Sequence, residues 1–107
     1  MSKLVLIYTL FGDANEARKT STLLVTEKMA ACANMLAPCT SLYEWQGKMR
    51  EETEFPVLYK TTAAKRTPLM TRLAELHSYD VPAILSWDAA VNSPYADWAN
   101  QQIDAQW

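Results

Sequence analysis

Apolar residues follow two rhythms along the chain, and the switches between them mark its elements. Lys3 to Leu10 carries Leu, Val, Ile and Tyr almost without a polar break, which predicts a strand buried on both faces and ended by Gly12. Asp13 predicts a helix cap, with Glu16 in the capping-box position. Ala14, Ala17, Ser21, Leu24 and Val25 then share one helical stripe with Met29 on its shoulder, and predict an amphipathic helix reaching Ala31. Cys32 to Ala37 reads as a second strand, stopped by Pro38. Thr40–Trp45 and Met49–Thr61 are two further β-type runs around the turn Gln46-Gly47-Lys48, where glycine can supply a positive φ. Pro56, inside the second arm, cannot donate to a ladder and predicts an edge position or a bulge.

Helical spacing returns downstream. Thr67-Pro68 predicts a cap and first turn, followed by Leu69, Leu73 and Leu76 on one face. Tyr79-Asp80 predicts a turn, and Val81–Trp87 a last main strand with Pro82 at its start. Asn92-Ser93-Pro94 opens a short C-terminal helix carrying Tyr95, Trp98 and Ile103. The order β-α-β-β-α-β plus a terminal helix predicts an α+β, ferredoxin-like sandwich, a single domain over 1–107. No helix is assigned to the other face of its sheet. With a long hairpin bearing Trp45, that predicts an oligomer covering the open face and the hairpin arms.

Composition narrows the partners. Ten basic and 12 acidic residues give a net charge of −2, without the basic footprint of generic nucleic-acid binding. No run approaches the roughly 20 apolar residues that span a bilayer. The opening MSKLVLIYTLF has one lysine and no small-residue cleavage site, so a secretion signal is not expected. The expectation is a cytoplasmic protein with reduced thiols.

Candidate chemistry is sparse. Two cysteines and one histidine cannot close a four-ligand zinc site within one chain. Cys32 and Cys39 are seven apart, which puts them on opposite faces of a regular strand unless Pro38 breaks it. Each reads most simply as a structural residue. His77, after the second helix, is either a helix C-terminal cation or a soft-metal or anion contact in a cleft. Tyr43, Trp45, Lys48, Lys60 and Tyr79 suggest a mixed aromatic and basic surface: core or interface, or a pocket for a small anion with the lysines as charge. Glu51-Glu52 reads as a solvated hairpin arm. Two distant glycines exclude a glycine-rich nucleotide loop, and no nucleophile lies beside a base, so no enzyme is expected.

Several segments together resemble the CutA family of divalent-cation tolerance proteins. They are Ala17-Arg18-Lys19 through Leu24-Val25, Lys28 to Asn34, Thr40 to Lys48, Tyr59-Lys60-Thr61, His77 to Pro82, and Tyr95 to Trp98. The S-x-Y-x-W-x-G-K hairpin and the H-x-Y-D-V-P turn carry the most specificity. The resemblance implies a tight homotrimer similar to the PII-type signalling proteins, with clefts between protomers lined by Tyr43, Trp45, Lys48, Lys60 and Tyr79. It further implies binding of copper or another divalent metal ion and a part in tolerance to it, with His77 and Cys32 as the metal ligands by position. This chain departs from the pattern at Tyr8, where some relatives have a cysteine, and at Ser78, where proline is usual. Ala83 replaces a usual glutamate, and Trp87 a usual aliphatic residue. The alternatives to metal tolerance are a PII-like small-ligand sensor and a trimeric scaffold without a ligand.

Overall fold

The first strand sets the frame, because both of its flanks are paired. In the computed structural model, which describes residues 1–104, β1 (Ser2–Phe11) lies antiparallel to β4 (Lys48–Thr61) on one side and β5 (Ile84–Val91) on the other. The last three residues of the expected domain lie outside the described ones. Between β1 and β4 run α1 (Ala14–Thr26), β2 (Cys32–Met35) and β3 (Cys39–Trp45). A single 3₁₀ turn, Ala63–Lys65, leads into α2 (Arg66–Leu76), and α3 (Ser93–Asp104) follows β5. The sheet order is β2-β4-β1-β5, with β3 also on β4. This is the expected ferredoxin-like α+β arrangement.

β2 and β3 lie end to end against β4. Met35 faces Val57 and Cys39 faces Glu54, so the three residues 36–38 oppose only Phe55 and Pro56. That extra residue is a bulge, as Pro56 predicted. The carbonyl of Pro56 accepts from the Leu36 amide at 2.9 Å, so the donor proline lacks would have pointed into the break. The bulge also corrects the cysteine placement: Cys32 faces Lys60 and Cys39 faces Glu54, which puts both on one side of the sheet. They remain six β4 residues apart, about 20 Å.

Alternation along β1 builds two unequal cores. Val5, Ile7 and Phe11 bury against Ala17 and Leu24 of α1, Leu69 and Leu73 of α2, and Val57 and Tyr59 of β4. Each such side chain contributes about 1.5–3 kcal/mol of transfer free energy. The Tyr59 hydroxyl is satisfied there by Ser21 at 2.8 Å. On the opposite face the expectation of no helix is corrected: α3 covers one end, closing Ala99 and Ile103 over Leu4 and Ala31. Beyond it Leu6, Tyr8 and Leu58 are half-buried, while Leu85 and Trp87 are exposed.

Several predicted boundaries move, and β2 already stops at Met35, short of the expected Ala37. α1 ends at Thr26, not Ala31, because Lys28 adopts φ 62°. The amides of Lys28 and Met29 bond back to the carbonyls of Val25 and Leu24, a Schellman stop that tucks Met29 onto the core. α2 starts before the expected Thr67 cap, and Pro68 falls in its first turn, where a missing amide costs no helical bond. β5 starts at Ile84, since Tyr79 to Ala83 is committed to a bend, and it runs to Val91 because β1 pairs back to Ser2. In the hairpin, Gln46 and Gly47 both take positive φ, 51° and 77°, which a two-residue type I′ turn requires. The hairpin stretches the molecule to 46 × 28 × 23 Å and its radius of gyration to 14.8 Å, against about 13 Å for a compact chain of this length.

Candidate functional site

The bend after α2 is pinned to the end of β1 through His77. Its ring stacks on Phe11 with centroids 4.6 Å apart. Nδ1 accepts from the Tyr79 amide at 3.2 Å, so Nε2 carries the proton and donates to the Leu10 carbonyl at 2.9 Å. Glu16, the predicted capping residue, instead turns its carboxylate to the Ser78 amide and hydroxyl, both at 2.9 Å, while its own amide bonds Asp13. Thr9 donates to the Ala83 carbonyl at 2.7 Å and fixes the far end of the bend. Thus anchored, Tyr79 crosses the end of the sheet beside Gly12, where a Cβ would stand 2.9 Å from its hydroxyl.

That hydroxyl donates to Glu54 Oε2 at 2.9 Å. Glu54 is 9% exposed, the one acidic side chain among the described residues that is buried. Burial first, and then Glu54, push the Tyr79 phenol well above its ordinary range. Tyr8 lies nearby on the same sheet face, and burial followed by the charges of Cys39 and Glu54 raises its phenol.

Outward from Glu54, between the bend and the β3–β4 hairpin, opens a cleft of about 740 Å³. Strand alternation brings Arg50, Glu52 and Glu54 to one side of β4, and cross-strand pairing sets Tyr43 opposite Arg50. Tyr43 and Trp45 form the hairpin wall, Tyr79, Asp80, Val81 and Ala83 the bend wall, and Leu10 part of the floor. Glu52 holds the Tyr43 phenol above its ordinary range.

The structure brings together Tyr43, Trp45 and Tyr79 of the expected pocket but neither lysine. Lys48 is at the exposed hairpin tip, and Lys60 lies 5.3 Å from the Tyr95 ring under α3. Within one chain, then, three carboxylates face one guanidinium in this cleft, whereas the basic, anion-binding pocket suggested by the sequence was one shared between protomers. Sequence reading missed Arg50, Glu52, Glu54 and Asp80. The first three were signalled by period-two spacing in the arm taken as solvated, whereas Asp80 was read only as part of a turn.

The expected metal ligands are separated as well. Cys32 touches the Tyr95 hydroxyl at 3.3 Å and pairs across β4 with the level of Leu6, whereas His77 sits at Leu10. Four residues along the strands and two strand spacings across keep them more than about 10 Å apart. His77 has no free nitrogen, and among the described residues no group of three or more His, Cys, Asp or Glu converges. These donors do not fit a resident metal centre within one chain.

Comparison with known proteins decides the family. The model of the CutA1 divalent ion tolerance protein matches residues 5–102. The chain belongs to the CutA family. The divalent-cation tolerance protein CutA of Thermococcus kodakarensis is 38% identical over 95 residues, which cover 88% of this chain and 90% of that one. Among solved structures, CutA1 from Ehrlichia chaffeensis superposes with a TM-score of 0.93 at 29% identity, covering 98% of this chain and 99% of its own. CutA from Xylella fastidiosa gives 0.91 at 36% identity, covering 96% and 100%. The CutA fold is thus shared almost end to end, and the protruding hairpin belongs to it.

Proposed function

We propose that the protein acts in divalent-cation tolerance as a cytoplasmic homotrimer without catalytic activity. The observation that carries the assembly is the sheet face left bare beyond α3, where Leu85 and Trp87 are 55% and 44% exposed. An apolar strip of that kind, on a sheet whose projecting arm exposes Trp45 on one face and Leu42 and Met49 on the other, is surface that further copies would bury. Copper or another divalent ion is then held by the assembled trimer and not within one subunit. Cys32 is the donor this chain offers, since it lies half-buried beside Tyr95 on the edge strand β2, where a neighbour's groups can complete the site. Two free thiols suit a reducing compartment. No described helix is long and apolar enough to cross a membrane.

Sedimentation velocity at low micromolar concentration tests the assembly, with a 12.1 kDa chain as the unit. The wild type is expected at three units and Trp87→Glu at one. Copper titration by calorimetry is expected to lose stoichiometry in Trp87→Glu and in Cys32→Ser. A folded wild-type monomer overturns the trimer, and unchanged copper binding in Cys32→Ser overturns the role of that thiol.

A further inference from the structure

The sheet face that a further copy would cover carries charges of both signs that its own chain leaves unmatched. β1 sets Leu6 between Lys60 of β4 and Trp87 of β5 in one cross-strand row, so Lys60 rises from the same face as the exposed Trp87. It stands half-buried at the margin of α3, its ammonium 5.3 Å from the centre of the Tyr95 ring. Among the described residues no carboxylate reaches ion-pair distance of it. Covering that face strips water from the ammonium, which is costly unless an acid takes its place.

The acid lies at the other end of the same face. Glu52 and Lys60 are eight residues apart on β4, an even spacing that points both to one side but holds them about 26 Å apart. They cannot meet within one chain. In the cleft between the hairpin and the Tyr79–Ala83 bend, Glu52, Glu54 and Asp80 oppose Arg50 alone. Glu54 is committed to the Tyr79 hydroxyl, which leaves the exposed Glu52 as the carboxylate open to a partner. Tyr43 and Trp45 beside it offer apolar surface to a lysine stem. Lys48, exposed at the hairpin tip, stays solvated and needs no such partner. Surplus acid and surplus cation, set apart on one surface, are what a head-to-tail ring matches, the acid of each copy meeting the cation of the next. We propose that the cleft is filled by a second copy of the chain, whose Lys60 pairs with Glu52 against the Tyr43 and Trp45 rings; this rests on the homotrimer proposed above. The opening is then an interface completed by the neighbouring subunit, and three such pairs close the ring.

The test is a charge swap in the full chain. Sedimentation velocity along a urea series gives the concentration at which the trimer dissociates, and circular dichroism on the same samples reports the fold. Lys60→Glu and Glu52→Lys are each expected to lower that concentration by about a third or more, since each sets like charges together. The double variant is expected to recover at least about half of the loss. Lys48→Glu is expected to leave it unchanged. A trimeric wild type whose double variant does no better than the worse single one overturns the pairing and leaves the trimer standing. Rescue of Lys48→Glu, and not of Lys60→Glu, by Glu52→Lys overturns it as well. A monomeric wild type overturns both the pairing and the trimer. If Lys60→Glu fails to fold, a milder pair decides: Glu52→Gln should cost the trimer less in a Lys60→Met background than in the wild type, and an equal cost overturns the pairing.

Discussion

Removing one oxygen atom from Tyr79 isolates the interaction that closes the inner end of the cleft. In Tyr79→Phe the ring keeps its contacts with His77, whose centroid is 4.8 Å away, but Glu54 loses the donor at 2.9 Å while staying only 9% exposed. A hydrogen bond to a charged group is worth about 1.5–3 kcal/mol, and a carboxylate stranded at that burial recovers little of it from water. For a chain of this length that is a fall of roughly 6–12 °C in Tm. Urea unfolding measures it directly, as a lower midpoint with an unchanged slope. A double-mutant cycle with Glu54→Gln separates the bond from generic damage, because the amide still accepts but carries no charge. The expected coupling is about 1 kcal/mol or more. A Tyr79→Phe variant within about 0.5 kcal/mol of wild type, the scatter of ordinary surface substitutions, refutes the assignment of Glu54 and Tyr79 as a buried pair.

Three further outcomes follow from contacts already described. Gly12→Ala drives a methyl group to 2.9 Å from the Tyr79 hydroxyl, so it should destabilise in urea by a similar amount, and clearly less in a Tyr79→Phe background. Arg72 bonds Glu27 at 2.9 and 3.0 Å and holds its carboxyl below the usual range, so this pair stabilises above the ordinary carboxylate pKa and loses its effect as pH falls through the lowered one. The wild type should therefore exceed Glu27→Gln in stability at neutral pH and converge with it in acid. Burial pushes the Tyr59 phenol up to about 12, against the partial opposition of Ser21, so the folded chain keeps a proton the unfolded chain gives up near 10. Stability should decline between pH 10 and 12, and the decline should be smaller in Tyr59→Phe.

Periodicity made the element order legible, since long apolar runs and helical stripes depend on local spacing alone. The boundaries that moved were decided by groups the pattern does not contain. Lys28 enters the left-handed region for the sake of two carbonyls a turn back, and β5 is displaced because the bend ahead of it is held by Thr9 and His77. Within the site, the aromatic residues were found because hairpin spacing exposes them. The acidic side of the cleft was missed because Glu52 and Glu54 look like any solvated arm until the bend folds over them. His77 was singled out for chemistry, but the geometry gives both ring nitrogens to the backbone. Its part is to hold Tyr79 in place.

The break at residues 36–38 sets Pro38 and Pro56 near one another across neighbouring strands, so the ladder there lacks two protons it would otherwise share. Cooperative opening of the sheet has no continuous path across that seam on the outer flank. The projecting arm should therefore trade its amide hydrogens with solvent on its own clock, faster than β1 and the inner half of β4, and carry Tyr43 and Trp45 with it whenever it swings.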